Sequence, residues 1–491
     1  MTPPAPARRW YRVGGVALAL LLAGCAVGPD FVKPEPAMPP EFRSQVTPAE
    51  ATSFADQPWF DVFHDEQLRA LVDEAIANNY DLAVAANRVQ QALHEVGVTR
   101  SALFPQASYQ GAAQRGKNFL GPAADNATFN TFLGTFNLAW EIDVWGRVRR
   151  ATEASEAALW ATEDVRRGVL LSLVSAVGAS YFTLQELDLA LDIARRNTAS
   201  FTETVELFTR RFRGGVDSML SVERATAARA QAAATIPQLE QQIVQQENAI
   251  NILLGRPPGP VRRAPLLSRA ALPVETPPGL PSDLLRRRPD ILQAEELIKA
   301  SNAQVGVAVA NFFPRIGLTS LYGGQSSDLD NIVKTPGVVW AIAASMAGPI
   351  FQGGQLTEAY RAQVAAWEAA KAVYAQTVLT ALREVSDALI ARQKLEEVRE
   401  QQLVQVDALR ESVRLALLRY NGGLSTYFEV LEAQQQLFPA ELSLAQTDLN
   451  RMLAVVDLYR ALGGGWQAND RPVEPSFWPT GPGPGSPGAA A

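Results

Sequence analysis

The sequence predicts a mainly α-helical, internally duplicated chain whose few β-strands belong to a membrane-spanning barrel. Three observations carry this. Turn and helix motifs recur at a nearly constant separation, apolar residues keep helical spacing over stretches too long for a compact domain, and four short runs alternate with the period of a strand. In the 491-residue chain, Val96-Gly97-Val98 and Phe104-Pro105 reappear one repeat-length later as Val305-Gly306-Val307 and Phe313-Pro314. Trp160 recurs as Trp367, and Arg211, Gly214, Gly215, Val222 and Ala225 recur as Arg419, Gly422, Gly423, Val430 and Ala433. The chain therefore reads as two copies of one unit of roughly 200 residues. Repeat one covers residues 67–256 and repeat two 281–466, with a linker at 257–280.

Each copy has the same internal order. A helix comes first, around 68–103 and 283–312, and stops at Phe-Pro. Two strand-like runs around a polar loop follow, then a very long helix at about 146–212 and 354–420. A Gly-Gly break precedes a last helix, about 217–254 and 425–462, in which Pro237 and Pro439 predict kinks. Polar residues take nearly every second place in 106–114, while Phe132, Phe136, Leu138 and Trp140 alternate with Thr131, Thr135 and Asn137. Ile316, Leu318, Ser320 and Tyr322, then Val338, Trp340, Ile342, Ala344 and Met346, continue the scheme less cleanly. One greasy and one polar face fits a barrel wall with lipid outside and water within, and a half-buried soluble sheet gives the same alternation. In the second long helix Leu356, Tyr360, Val364, Trp367, Tyr374, Val378, Leu382, Val385 and Leu389 form one stripe at the period of a straight helix. At 1.5 Å per residue, about 65 residues run for about 100 Å, a dimension no compact domain has.

Composition narrows the function. The net charge of −7 argues against nucleic-acid binding, which needs a basic face. The dense basic run Arg286–Arg288 reads as a solvated helix end. One cysteine and two histidines leave little room for a metal cluster, a disulfide or a Cys/His nucleophile pair, and no phosphate-binding or hydrolase motif is present.

Residues 1–24 have a basic start and a short apolar run, the pattern of a secretory signal rather than a spanning helix. The run ends in Leu22-Ala23-Gly24-Cys25, which resembles the bacterial lipobox; an ordinary signal peptide followed by a free thiol is the alternative. Lipidation of Cys25 makes 25–66 a lipid-anchored segment, and Ala26, where an aspartate would signal retention at the inner membrane, favours the outer one. The Pro/Gly-rich tail at 467–491 is expected to be disordered. No later segment offers eighteen consecutive apolar residues, so a membrane crossing must be a closed β-barrel. Four strands cannot close one, because single-chain barrels need at least about eight. The expectation is an oligomeric barrel continued by a helical tube.

At this point the residues carry a resemblance. LAGCAVGPDFVKPE at 22–35, LLRRRPDILQAE at 284–295, FFPRIGLTS at 312–320 and ALGGGW at 461–466 resemble the TolC-type outer-membrane efflux channels, particularly their NodT-like lipoprotein branch. The resemblance implies a homotrimer with a twelve-stranded barrel in outer-membrane lipid and a twelve-helix periplasmic tunnel below it. It implies a passive exit duct for small toxic compounds, joined to a periplasmic adaptor and an inner-membrane RND transporter, with no catalysis and no cofactor beyond the lipid on Cys25. It also implies a periplasmic gate at Tyr420, Glu429 and Glu432, with Phe428 as an apolar plug and Gly214, Gly215, Gly422 and Gly423 as turn or hinge residues. Ser425 stands where some relatives place an arginine that latches the closed state, so a latch at that position is not expected. Glu429 and Glu432 share one helix face, and the first copy has Ser221 and Arg224 in their places. Two solvated glutamates that suit the helix dipole are the plain alternative. A duct for type I protein secretion, a non-conducting structural envelope lipoprotein, and an enzyme using the two glutamates as an acid/base pair are the other readings.

Overall fold

A computed structural model of the chain describes residues 26–45, 53–56, 65–117, 128–264 and 277–464. The signal segment 1–24, Cys25, most of the polar loop at 116–126 and the tail 467–491 lie outside the described residues.

Repeat one is built from α1 (Glu66–Asn78), α2 (Tyr80–Ser101), β1 (Gln106–Lys117), β2 (Thr128–Ile142), α3 (Arg147–Arg213) and α4 (Met219–Leu253). Repeat two follows with α5 (Leu284–Arg287), α6 (Pro289–Ala310), β3 (Arg315–Ser326), β4 (Val338–Ala347), α7 (Gln355–Asn421) and α8 (Tyr427–Ala461). The two halves match closely: α3 and α7 are 67 residues each, α4 and α8 35 each. Both helices of 35 residues run unbroken through Pro237 and Pro439.

The first helix of each copy is not one helix, contrary to the spans 68–103 and 283–312. Asn79 is extended (φ −66°, ψ 129°) and its side-chain Oδ1 caps α2 by accepting from the Leu82 amide at 2.9 Å. In the second copy Pro289 forces Arg288 out of the helical region (φ −83°, ψ 119°) and opens α6 at its first position. These breaks are joints between stacked helices. The Asn79 side-chain amide donates to the Leu253 carbonyl at the end of α4, so α2 sits on α4. Arg288 Nη1 donates to the Ala461 carbonyl at 3.0 Å and to Glu384 at 2.7 Å, so α6 sits on α8. Each stack lies beside a long helix, giving four columns per chain.

The basic run at 286–288 is therefore only partly a solvated end. Arg286 is exposed, but Arg287 pairs with Asp56 and the buried Arg288 is held by both Asp290 oxygens and by Glu384. The joint consumes the charge the sequence assigned to water.

The strands form one antiparallel sheet in the order β1-β2-β3-β4, so β2–β3 pairing joins the copies. The register puts Tyr109 opposite Phe136, Phe136 opposite Tyr322, and Tyr322 opposite Trp340. This aromatic row crosses one face, together with Leu138, Trp140, Leu318, Ile342 and Met346. Strand alternation gives the other face Ser108, Gln110, Asn137, Thr135, Thr319 and Ser345. The apolar face is uncovered by the chain: Tyr109 is 84% exposed, Trp340 70% and Ile342 77%. A soluble half-buried sheet would hide that face, so the alternation left open by sequence is resolved toward lipid. Two tryptophans lock the sheet to the helices: Trp140 Nε1 donates to the Leu103 carbonyl, and Trp145 Nε1 donates to Pro314 while its ring stacks on Phe313 at 4.6 Å.

One face of the helical wall carries an outer layer. Residues 26–33 run along α3 and α6: the Val27 amide donates to the Trp145 carbonyl, Arg150 reaches Asp30, and Lys33 pairs with Glu295. Lower down, Leu68 and Val72 of α1 pack on Val174 and Gly178 of α3, and Tyr181 donates to Asp65 at 2.8 Å. Phe54 meets the Tyr459 ring edge-on at 5.6 Å. By composition α3 holds one window apolar enough to cross a membrane, yet half of that window is buried in this packing.

Candidate functional site

The far ends of the long helices converge at the two Gly-Gly turns. Both turns are Schellman closures: the Val216 amide donates to Arg211 and the Gly215 amide to Phe212, and in the second copy Leu424 donates to Arg419 and Gly423 to Tyr420. Only the second glycine of each pair needs to be one. Gly215 and Gly423 have φ of 72° and 71°, whereas Gly214 and Gly422 are right-handed at −77° and −80°.

Between the turns the two copies meet in a small core of Phe201, Phe208, Val222, Tyr420, Tyr427 and Val430. Phe208 and Tyr427 are 3.9 Å apart, centroid to centroid. Tyr420 is buried here, at 5% exposure, and points at the first copy rather than standing free. Its hydroxyl donates to Asp217 Oδ2 at 3.0 Å, and the Arg211 guanidinium lies 4.5 Å above its ring. Burial, then the hydrogen bond to Asp217 and the charge of that carboxylate, push the Tyr420 phenol up to about 12. Partial burial raises the Asp217 carboxyl, but the Ser221 hydroxyl, the Ser218 amide, Tyr420 and Arg211 outweigh it and hold the group below its ordinary value. The pair is a neutral phenol donating to a firmly ionised acceptor.

The remaining predicted residues sit on the outside of this core. Phe428 is 59% exposed, and Val216, Leu220 and Leu424 of the two turn regions are exposed as well. Glu429 is 3.6 Å from Arg419, and Glu432 accepts from Gln436 one turn on at 3.5 Å. Ser425 Oγ is buried and has no hydrogen-bond partner among the described residues. The structure thus gathers Tyr420, Phe428, Glu429 and Glu432 at one end of the chain, but splits them: one buried against repeat one, three facing out. Sequence reasoning missed Asp217, Arg211 and Tyr427 as partners of Tyr420 and Arg419 as partner of Glu429. Arg211 and Arg419 carried a signal, since they are equivalent positions in the duplication.

Cys25 lies outside the described residues. Its neighbour Ala26 rests against Gly146, where an added Cβ would come within 2.7 Å of the Ala26 Cα. That contact is four residues past the end of β2, where the chain leaves the sheet for α3.

The sheet with one lipid-compatible face, the wall of long helices and the closed turn cluster define a class, and the comparisons agree. The outer membrane efflux protein family model matches residues 71–256 and 280–464, and the chain belongs to that family. It is an outer-membrane efflux protein. It is 33% identical over 457 residues to the probable efflux pump outer membrane protein TtgC of Pseudomonas putida, covering 91% of this chain and 94% of that one. It is 30% identical over 456 residues to the probable outer membrane lipoprotein SilC of Salmonella typhimurium, covering 92% and 98%. The structure of the outer-membrane channel OprN superposes with a TM-score of 0.83 at 31% identity, covering 90% of this chain and all of the other.

Proposed function

We propose that three copies of this chain close into a twelve-stranded barrel and a twelve-helix periplasmic tunnel, the passive exit duct of a tripartite RND-type pump. The observation that carries this is the sheet: four strands with a bare apolar face and a polar face need further strands to enclose water. An inner-membrane transporter supplies the energy, and a periplasmic adaptor joins it to the turn end. Lipidation of Cys25 tethers the chain where Ala26 meets Gly146, at the periplasmic rim of the barrel. The Asp217–Tyr420 contact holds the second copy's turn against the first, which keeps the mouth narrow; Phe428 and Glu432 face the opening.

The experiment is planar-bilayer recording of the trimer purified in mild detergent. Discrete, cation-preferring channels are expected, with Glu429→Ala/Glu432→Ala lowering the cation preference while trimers persist. A monomer that carries no current would overturn the duct. Unchanged ion selectivity in the double variant would remove the glutamates from the mouth.

A further inference from the structure

On the wall face opposite the outer layer, a groove of about 640 Å³ runs over α3 between α2 and the start of α6. Helical periodicity fixes the side. Val174 and Gly178 of α3 carry α1, whereas the groove takes Gly168, Ser172 and Ala176, close to half a turn away. On α6, Glu295 binds the N-terminal strap, whereas Asp290 and Gln293 line the groove. Twelve helices about 10 Å apart enclose a ring about 38 Å across, axis to axis, too narrow for three copies of the outer layer. The layer is therefore outside and the groove faces the lumen, an assignment that rests on the trimeric duct proposed above.

The groove is built like a binding site. Its floor is small and apolar, with Gly168 beside Val165, Val169 and Leu173 and room for a Cβ, which would lie 3.9 Å from Pro289. Two of its charged residues are already paired: Asp164 with Arg167 at 2.8 Å and Asp290 with Arg288 at 2.6 Å. Two are not. Asp81 and Arg88 stand exposed on one face of α2, and among the described residues neither has an ion-pair partner. Seven residues separate them, about 10.5 Å along the helix. Unpaired opposite charges at the two ends of an apolar trough match one kind of occupant.

We propose that this groove is a lumenal subsite for zwitterionic amphiphiles, with a cationic end at Asp81, an anionic end at Arg88 and a flat apolar body over Gly168. Exposed ion pairs are weak, about 1 kcal/mol at most, so each end contributes up to about fivefold in affinity and the site delays cargo without trapping it. Such a site gives the duct a chemical preference of its own.

The test is equilibrium binding of norfloxacin, a fluorescent zwitterion whose ammonium and carboxylate lie at opposite ends of a flat ring system, to the purified trimer by fluorescence anisotropy. Saturable binding is expected, weakened about three- to fivefold by Asp81→Asn or by Arg88→Gln and abolished by Gly168→Trp. The exchange Asp81→Arg/Arg88→Asp restores affinity, because the ligand can bind end for end, and a general loss of folding would not. The ethyl ester, lacking the carboxylate, should be insensitive to Arg88→Gln. No saturable binding, or single variants with unchanged affinity, would overturn the subsite. Conductance recorded on the same preparations keeps the outcomes apart: an open channel without binding removes the groove alone, and no channel removes the duct beneath it.

Discussion

Replacing Tyr420 by phenylalanine removes one oxygen and leaves the ring among Phe208, Tyr427 and Arg211. The packing survives, so what is lost is the 3.0 Å hydrogen bond to Asp217. A hydrogen bond to an ionised acceptor contributes about 1.5–3 kcal/mol, and the partial exposure of Asp217 argues for the lower figure. If the three contacts of the proposed trimer break together, the closed state loses about 4–5 kcal/mol, a shift on the order of a thousandfold in the open-to-closed ratio. Single-channel recording reads this directly as longer open times and larger mean conductance, while thermal stability of the trimer changes little. Asp217→Asn should go at least as far, since it also weakens the bonds from Ser218 and Ser221, and the double variant should be clearly non-additive. Open probability unchanged by Tyr420→Phe would refute the reasoning. The pH dependence has a definite sign. Tyr420 titrates near 12, so its contribution is complete below the ordinary phenol value and is lost as pH rises through about 12. The lowered carboxyl of Asp217 contributes above its ordinary value and is lost as pH falls through the depressed one. Gating is therefore expected to be flat from about pH 5 to about pH 9.

Other outcomes are open to simpler measurement. Burial raises the Asp164 carboxyl to about 6, so folding takes up a proton between the ordinary value and 6 and stability falls as pH rises through that window; Asp164→Asn should flatten this slope in thermal melts from pH 4 to pH 7. Arg288→Met removes the bond to the Ala461 carbonyl and leaves Asp290 and Glu384 unpaired but partly solvated, so it should cost about 1–3 kcal/mol in chemical denaturation, whereas Arg286→Ala at the exposed neighbour should cost under about 0.5. Gly423→Ala must adopt φ near 71° and should destabilise by about 1 kcal/mol, with Gly422→Ala closer to neutral; equal effects would count against the division of roles within the pair.

The duplication, the strands and the long helices were legible because each rests on periodicity that the chain must satisfy locally. The stripe from Leu356 to Leu389 needs no partner to be recognised, nor does the alternation around Phe136. The joints at Asn79 and Arg288 were not legible as joints, because an asparagine within a helical pattern or a run of arginines means nothing until another helix end arrives from 174 or 173 residues away. Pro289 carried a signal for its break, and the span 283–312 ran through it. At the turn cluster the sequence pointed to the second copy's residues and missed Asp217, which lies beyond the first copy's Gly-Gly turn and meets Tyr420 only when the repeats pack. Local patterns specify elements; the partners of a buried polar group are set by packing.

The identical span of α3 and α7 has a mechanical meaning. Both start at the rim of the sheet, which the aromatic row holds at one depth in the bilayer, and both descend 67 residues, about 100 Å, to their turns. The two hairpin tips consequently finish level, and in the proposed trimer six of them lie in one plane. Lengthening only α3 by one turn of about four residues would push its tip about 6 Å below that of α7, slide Asp217 past Tyr420 and tilt the landing surface offered to whatever approaches from the inner membrane. In the proposed duct, equal helices make the molecule a depth gauge for the space between the two membranes.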